Sequence, residues 1–581
     1  MTDAIHRNIP DSAGRNAFRA DPAMADLLRV YLPPDMLDLA LPRLDRMGAL
    51  TGGRLEQLAL RADKNPPVLH IRARNGADEE RIEKHPAYEA LEQVAFGEFG
   101  LAAMSHRGGV FGAEEKLPPL VKYALVYLFV QAEFGLCCPL SMTDSLTRTL
   151  VKFGSPELVA RYLDRLTSQD MDSLFQGAMF MTEQIAGSDV GAIETVARQE
   201  DGTWRLYGDK WFCSNPDAAL AMVLARPEGG GDGTGGAGTK GLSLFLLPRH
   251  LADGRRNAYR ILRLKDKLGT RSMASGEIAL EGAEAYLVGD PGQGFKQMTD
   301  MINMSRLANG VRSAGMMRRS VNEALFIAGN RRAFGKRLDE MPLMQRQLAK
   351  MLVSAEQGRA MVFHTARVLA AADAGEATMA KVLRILTPLI KFRTCRDARK
   401  VAGDAMEVRG GCGYIEEWSD ARVLRDSHLG SIWEGTSNIV ALDVARAVRR
   451  EGALEALGGY LDGLAQETEA VLGPQPALTG AFRRAAELMA AVAGDRARES
   501  EVRTAASALY HATSAGIMAW EAAQLSRRNT AAGGDRLALA QAVVCHKLTA
   551  RDPLAPATDD DLSGVLARAL SDAAAMPEAA E

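Results

Sequence analysis

One carboxylate in this 581-residue chain sits where a proton could be taken from a weak acid. Glu434 lies in Ser431-Ile432-Trp433-Glu434-Gly435-Thr436-Ser437-Asn438, between an apolar, aromatic run and a small turn that exposes backbone. Neighbours that desolvate a carboxylate disfavour its charged form and move its pKa toward the range of a general base. A glutamate before a glycine also reads as a solvated helix end, so the stretch must be weighed with others. Met181-Thr182-Glu183-Gln184-Ile185-Ala186-Gly187-Ser188-Asp189-Val190 sets hydroxyls at 182 and 188 among small residues that let backbone N–H groups approach a ligand; it also reads as a polar loop entering a strand. Gly208-Asp209-Lys210-Trp211-Phe212-Cys213-Ser214-Asn215 sets aromatic rings beside a hydroxyl and an amide. Those residues offer a stacking face and a hydrogen-bond donor to a flat ring system, or form a core strand ending in a turn.

The elements that must position these residues change character along the chain. Residues 1–175 read as an N-terminal helical domain, with Leu27, Leu28, Tyr31 and Leu32 and then Leu91, Val94 and Phe99 at helix spacing. Residues 176–290 break into short runs, among them Thr203–Leu206, Ala221–Ala225, Leu242–Leu247 and Glu277–Leu280, as in a small antiparallel β-domain. The glycine-rich run 229–238 ends in a literal G-x-G-x-x-G. A strand-like segment follows it rather than the helix a pyrophosphate site requires, so it reads as a hairpin loop. Residues 291–450 carry long amphipathic helices over Met301–Asn330 and Leu343–Ala372, with a kink or restart expected at Pro388. Residues 451–581 form an alanine-rich helical domain with a frayed tail expected after Asp559-Asp560-Asp561. The fold class is thus mainly α with a small β-domain.

Composition narrows the chemistry. A 47% hydrophobic and 25% charged chain with a net charge of −3 is an ordinary globular protein, with no charge bias toward a polyanion. The N-terminus lacks the apolar core of a secretory signal. The apolar run Tyr123–Met142 is interrupted by Gln131, Glu133 and Pro139, and reads as a buried helix rather than a membrane span. Six cysteines without a C-x-x-C pair read as reduced and buried in a cytoplasmic protein. With no histidine at ligand spacing, a metal site is not expected, and an organic cofactor would carry any redox chemistry.

Seven motifs, in order, resemble the acyl-CoA dehydrogenase family. Thr182-Glu183 with Gly187-Ser188-Asp189 looks like its T-E-x-x-x-G-S-D motif, and Lys210–Asn215 its K-x-W-I-T-N strand. Lys267-Leu268-Gly269-Thr270-Arg271-Ser272, Gly292-Gln293-Gly294-Phe295, Arg331-Arg332-Ala333-Phe334-Gly335 and Gly410-Gly411-Cys412-Gly413-Tyr414 follow, and Arg422–Asp426 leading to Trp433-Glu434-Gly435-Thr436 closes the set. Asn65-Pro66-Pro67, His85-Pro86-Ala87, Leu264–Gly269, Ala405-Met406-Glu407-Val408, Ser431–Glu434 and the added C-terminal domain are similar to the AidB-like, adaptive-response branch.

The resemblance implies a bound FAD and a set of roles. Thr182 and Ser214 would bond the isoalloxazine edge, with Phe212 packed on the ring where most relatives have tryptophan. Ser188 would sit near the pyrophosphate and the substrate, and Thr436 and Asn438 would hold the flavin's other side. Met181, Cys213, Trp433 and Gly435 would complete the cofactor envelope. Arg331 with the Gly410-Gly411 backbone would reach the FAD of a neighbouring subunit, implying a homotetramer built as a dimer of dimers. Glu434 would be the base, and Arg306 would stand at the mouth of the acyl-CoA site. An electron-transfer flavoprotein would take the electrons.

Three departures bear on this expectation. Pro342 stands where many relatives have a glutamine contacting FAD, and Gln184-Ile185 replaces Pro-Gly. The branch is associated with DNA binding through a basic C-terminal domain, yet residues 451–581 hold 11 Lys/Arg against 18 Asp/Glu, a net of −7. That argues against a broad phosphate-binding face, and Arg527-Arg528 reads as a solvated helix end rather than a local phosphate patch. A DNA-binding flavoprotein with residual dehydrogenase activity and an acyl-CoA oxidase are the alternatives. Acyl chain length is not legible.

Overall fold

The computed structural model describes residues 9–228, 238–550, 554 and 562–574. Its first elements are α1 (Pro22–Tyr31), α2 (Pro34–Gly52), α3 (Arg54–Lys64), the strands β1 (Val68–Arg72) and β2 (Asp78–Glu83), and α4 (Pro86–Glu92). Helices α5 (Pro119–Phe129), α6 (Cys137–Phe153) and α7 (Pro156–Leu166) follow. Next come β3 (Gly177–Phe180), β4 (Val196–Glu200), β5 (Thr203–Ser214), β6 (Leu220–Pro227), β7 (Ser243–Pro248), β8 (Tyr259–Leu264) and β9 (Ser275–Val288). The helix α8 (Gly294–Asn330) precedes a two-residue hairpin, β10 (Arg332–Ala333) and β11 (Lys336–Arg337). The bundle continues with α9 (Pro342–Asp373), α10 (Ala377–Arg409), α11 (Ser419–Leu429) and α12 (Ser437–Glu451). The last helices are α13 (Ala453–Leu472), α14 (Pro476–Gly494), α15 (Val502–Ser526), α16 (Thr530–Val543) and α17 (Ser563–Ala574).

These elements form two compact units. One comprises Met1–Glu56, Pro119–Ala132 and Asn309–Glu581; the other comprises Gln57–Pro118 and Glu133–Ala308. In the first, α9 is buried on nearly every side between Leu348 and Leu369, as a central bundle helix must be. In the second, strands run in the order β3-β6-β4-β5-β9-β7, and β7 also pairs with β6, so five strands close a ring. Its core is Phe180, Leu206, Val223, Phe245, Leu247 and Ile278.

Four local expectations need correction. The N-terminal region is not only helical: β1 and β2 form an antiparallel hairpin around Asn75-Gly76, with Gly76 at φ +84°. Glu80 on β2 is buried and accepts from Ile261 N at 2.9 Å and Arg256 at 3.1 Å, which ties the hairpin to the β-domain. The run Tyr123–Met142 is buried but not one helix, because it breaks between Phe129 and Cys137. Glu133 turns the chain there by accepting from Leu136 N at 3.1 Å. The β-sheet is mixed rather than antiparallel, since β6 runs parallel to both β3 and β4. Finally, α10 runs on through Pro388, so the chain does not restart a helix there, and Leu386, Leu389 and Ile390 around it are fully buried.

The glycine-rich run lies outside the described residues from 229 to 237, between β6 and β7, which pair antiparallel from Ala225–Ser243 to Leu220–Pro248. Residues 555–561 and 575–581, which include the expected frayed tail, also lie outside them. Four cysteines are buried, but Cys412 and Cys545 are half-exposed rather than buried. No helix among the described residues is long and apolar enough to cross a membrane.

Candidate active site

In the β-containing unit, the first two motifs come together. Trp211 N donates to Thr182 O at 2.8 Å, so the loop after β3 lies against β5. Beneath it is a buried ion pair, Lys210 with Glu183 at 2.7 Å. Lys210 also donates to Leu224 O at 3.0 Å, and Glu183 accepts from Glu194 N, Thr195 N and Thr195 Oγ1 at 2.7, 3.1 and 2.5 Å. Burial pushes the Glu183 carboxyl up, but the Lys210 ammonium and these donors outweigh it and hold the group below the usual carboxylate range. The motif's glutamate and lysine therefore fix the loop that carries Met181 and Thr182, both half-buried.

The register of β5 against β9 shifts between Lys210 and Cys213, where two residues on β5 oppose Glu277 alone. Such a bulge re-aims side chains. Phe212 is 58% exposed, and Lys265 stands 3.4 Å from the Trp211 ring centroid and 4.9 Å from that of Phe212. Ser214 is half-buried beside them and Ser188 is exposed. Cys213 points into the β-domain core, so only its backbone is open to a ligand. Arg306 is buried on α8.

In the bundle unit, Glu434 occupies the turn between α11 and α12, half-buried, with its Oε2 shielded from solvent. Its backbone is at φ +55°, and Gly435 follows at φ +99°. A non-glycine residue in this region costs about 1–3 kcal/mol and persists only where its surroundings over-determine it. Here the surroundings are buried polar groups that the sequence reading missed. Lys391 of α10, 2% exposed, donates to Gly430 O at 2.7 Å and Gly435 O at 3.1 Å, spanning the turn. Asn309 of α8 donates to Gly430 O at 3.3 Å, and the Arg312 guanidinium lies 4.9 Å from the Trp433 ring centroid. A Cβ at Gly430 would come within 3.0 Å of Ser313 Oγ, so the hydroxyl would have to give by a few tenths of an ångström.

The helix feeding this turn is anchored by the arginine that opens the last motif. Arg422 of α11, 2% exposed, donates to Ala132 O at 2.6 Å and to Glu56 at 3.0 Å. A lysine inside Leu389-Ile390-Lys391-Phe392 was the available sequence signal for the buried donor, since an ammonium in an apolar helical run needs a partner. Beyond the turn, Thr436 and Asn438 are exposed at the start of α12. Arg331 and Gly410 form a separate contact: Arg331 donates to Arg409 O at 2.7 Å, and Gly410, at φ +75°, leaves 2.9 Å between a Cβ position and the Arg331 guanidinium.

Comparison with known proteins fits this arrangement. Residues 8–173 match the adaptive response protein AidB N-terminal domain, 178–283 the acyl-CoA dehydrogenase middle domain, and 292–449 the acyl-CoA dehydrogenase C-terminal domain. The chain is 32% identical to acyl-CoA dehydrogenase family member 11 of Caenorhabditis elegans over 84% of its own length and 80% of that protein. It is 35% identical to the putative acyl-CoA dehydrogenase AidB of Escherichia coli over 76% of this chain and 79% of that one.

The chain belongs to the acyl-CoA dehydrogenase family.

As a member it is an oxidoreductase, with the N-terminal domain of the AidB-like branch. The solved structure of Caenorhabditis elegans ACDH-11 in complex with C11-CoA shares the fold at a TM-score of 0.85 and 29% identity, covering 94% of this chain and 93% of that one.

Proposed function

We propose that the protein is an FAD-dependent acyl-CoA dehydrogenase in which Glu434 removes the α-proton of an acyl-CoA thioester, yielding a trans-2-enoyl-CoA. The observation that carries this reading is the backbone of Glu434, held at positive φ beside a glycine by a buried lysine. Strain maintained at a carboxylate by buried donors is a mark of a positioned functional group rather than a solvated helix end. The residues fit a flavin: β5 bulges to expose Phe212 beside half-buried Thr182 and Ser214, an aromatic face with polar edges for a flat heterocycle. When bound, FAD supplies the acceptor for the β-hydride.

The chain's own residues do the rest. Thr182 and Ser214 would hold the ring edge, and Thr436 and Asn438 another part of the cofactor. Glu434 takes the proton on its carboxylate, and its backbone N–H bonds the thioester carbonyl where negative charge develops. Arg306 is assigned to the substrate. Arg331 and Gly410-Gly411 would serve a neighbouring subunit's cofactor in a tetramer; Phe334, Leu343 and Tyr414, 97%, 85% and 80% exposed, support an interface on this unit.

Anaerobic titration with acyl-CoAs of graded length and branching tests the reading: at least one should bleach the flavin absorbance, and failure of all of them would contradict it. Electron transfer to an electron-transfer flavoprotein without peroxide release in air is expected; stoichiometric peroxide would make the protein an oxidase. Given the acidic C-terminal region, duplex DNA should not shift in mobility even at low salt.

A further inference from the structure

Four side chains that the chemistry above does not use form a hydrogen-bond chain ending next to Ser214, and all four lie in the β-containing unit. Lys84 Nζ donates to Glu92 Oε1 at 3.1 Å, Gln176 Nε2 donates to the same oxygen at 2.9 Å, and Asn215 Nδ2 donates to Gln176 Oε1 at 3.0 Å. Glu92 and Asn215 are 5% and 4% exposed, with Lys84 and Gln176 half-buried between and beside them. Burial pulls the Lys84 ammonium down, yet Asp217 and Glu92 outweigh it and hold the group above the usual lysine range. Asp217 belongs to the turn that Asn215 opens, and its Oδ1 is shielded from solvent.

The chain has only one direction in which every bond can form. An ammonium only donates and a carboxylate only accepts, so Gln176 has to offer its Nε2 to Glu92. Its Oε1 then faces Asn215, which has to offer Nδ2 in turn. Glu92 thereby decides, through one intervening amide, which way the Asn215 amide points. The backbone holds the links in place: Leu220 N donates to Gln176 O at 3.2 Å, and Asn215 N donates to Ala274 O at 3.0 Å.

Asn215 has a reason to be held. It follows Ser214 directly, its backbone is at φ +56°, and its carbonyl accepts from Ala218 N at 3.0 Å to turn the chain out of β5. Left-handed backbone at a residue other than glycine persists where the surroundings over-determine it. We infer that Asn215 is a positioning residue for the cofactor edge held by Ser214, and that Glu92 sets its orientation through Gln176. The inference rests on the flavin reading proposed above. Lys84 and Glu92 fall in the part of the chain that matches the AidB N-terminal domain, and Asn215 in the part that matches the acyl-CoA dehydrogenase middle domain. One domain thus governs how tightly the other holds the flavin.

Titration of flavin-stripped, full-length protein with FAD, followed by fluorescence, tests this in wild type, Asn215→Asp, Glu92→Gln, the double variant and Glu89→Gln, an exposed control on α4. Asn215→Asp sets an acceptor against Gln176 Oε1 and should raise the dissociation constant about ten- to a hundredfold. Glu92→Gln alone should change it by less than about threefold, because the amide oxygen still accepts from Lys84 and Gln176. The double variant should return to within about threefold of wild type. There the glutamine introduced at 92 keeps its oxygen on Lys84 and donates to Gln176, which reverses and donates to the aspartate introduced at 215. A merely structural role gives no such rescue, so a double variant as weak as Asn215→Asp would overturn the inference. So would Asn215→Asp binding FAD as wild type does. Should Asn215→Asp fail to fold, Gln176→Leu reads the same claim: a dissociation constant about tenfold higher is expected, and the wild-type value would overturn it. Failure of wild type itself to take up FAD would instead defeat the flavin reading, and the inference with it.

Discussion

Two regions of the bundle unit treat buried charge in opposite ways. Where α1, α8, α9, α15 and α16 meet, charges are paired until little is left over. Asp21 accepts from Arg359 at 2.6 Å and lies 3.2 Å from Arg318; Glu356 is bonded to Arg359 at 2.5 Å and paired with Arg318 and Arg536; Arg536 bonds Glu521 at 2.5 Å. Tyr31 donates to Glu521 at 2.7 Å and contacts His364 at 3.1 Å, and the other His364 nitrogen contacts Tyr460 at 2.8 Å. At the Glu434 turn, buried Lys391 reaches the carbonyls of Gly430 and Gly435, buried Arg312 lies over Trp433, and the carboxylate rests on strained backbone. The first arrangement fixes the C-terminal helices to the bundle. The second holds a half-buried carboxylate on a turn of left-handed backbone.

The comparison breaks most visibly if one charge is removed from the paired junction. Arg359→Met should cost about 3–5 kcal/mol, because Asp21 and Glu356 keep their burial and lose a partner. Denaturant unfolding measures this, and a loss below about 1 kcal/mol would mean that water or rearrangement replaces the arginine.

Acid should act on the same junction. Burial, with a smaller push from Arg367, lowers His364 to about 3, and Glu356 is held at about 2 because Arg359, Arg318 and Arg536 outweigh its burial. Between pH 6.5 and about 3 the unfolded chain binds a proton at His364 that the folded chain refuses, so stability falls with pH by up to about 1.4 kcal/mol per unit. The Glu356 contribution is present above its unfolded value of 4.5 and is lost as pH falls toward about 2. Stability measured across this range should slope accordingly, and His364→Gln should flatten the upper part.

The turn responds differently. Lys391→Met should lower kcat about ten- to a hundredfold, as two charge-assisted bonds to the turn are lost, with flavin content and the KM for acyl-CoA little changed. A purely structural lysine would instead lower melting temperature and leave kcat per bound flavin unaltered. The smallest effect is expected at Gly435, where φ +99° makes an alanine cost about 1–2 kcal/mol, felt as a misplaced Glu434 more than as unfolding.

How much of this could be read in advance depended on the range of the interactions. The two long helices α8 and α9 were visible because their apolar period repeats for many turns, and β6, β7 and β9 because turn residues bracket short apolar runs. The β1–β2 hairpin was missed although Asn75-Gly76 marks it, since the charged Asp78–Glu83 strand earns its place by docking Glu80 against β8. The Glu434 stretch stood out by its local composition. Its supports did not, because Lys391, Asn309 and Arg312 lie 43, 125 and 122 positions earlier and reach the turn only once α8 and α10 are packed.

The central claim is that the Glu434 turn carries the proton transfer and the paired junction does not. Rapid-mixing measurement of flavin bleaching by an acyl-CoA in Glu434→Gln, normalised to bound flavin, tests it most directly. The account predicts a rate lower by about 10²–10⁴-fold, the usual worth of a general base, with flavin content and melting temperature at wild-type values. Bleaching at the wild-type rate would contradict it and assign the base elsewhere.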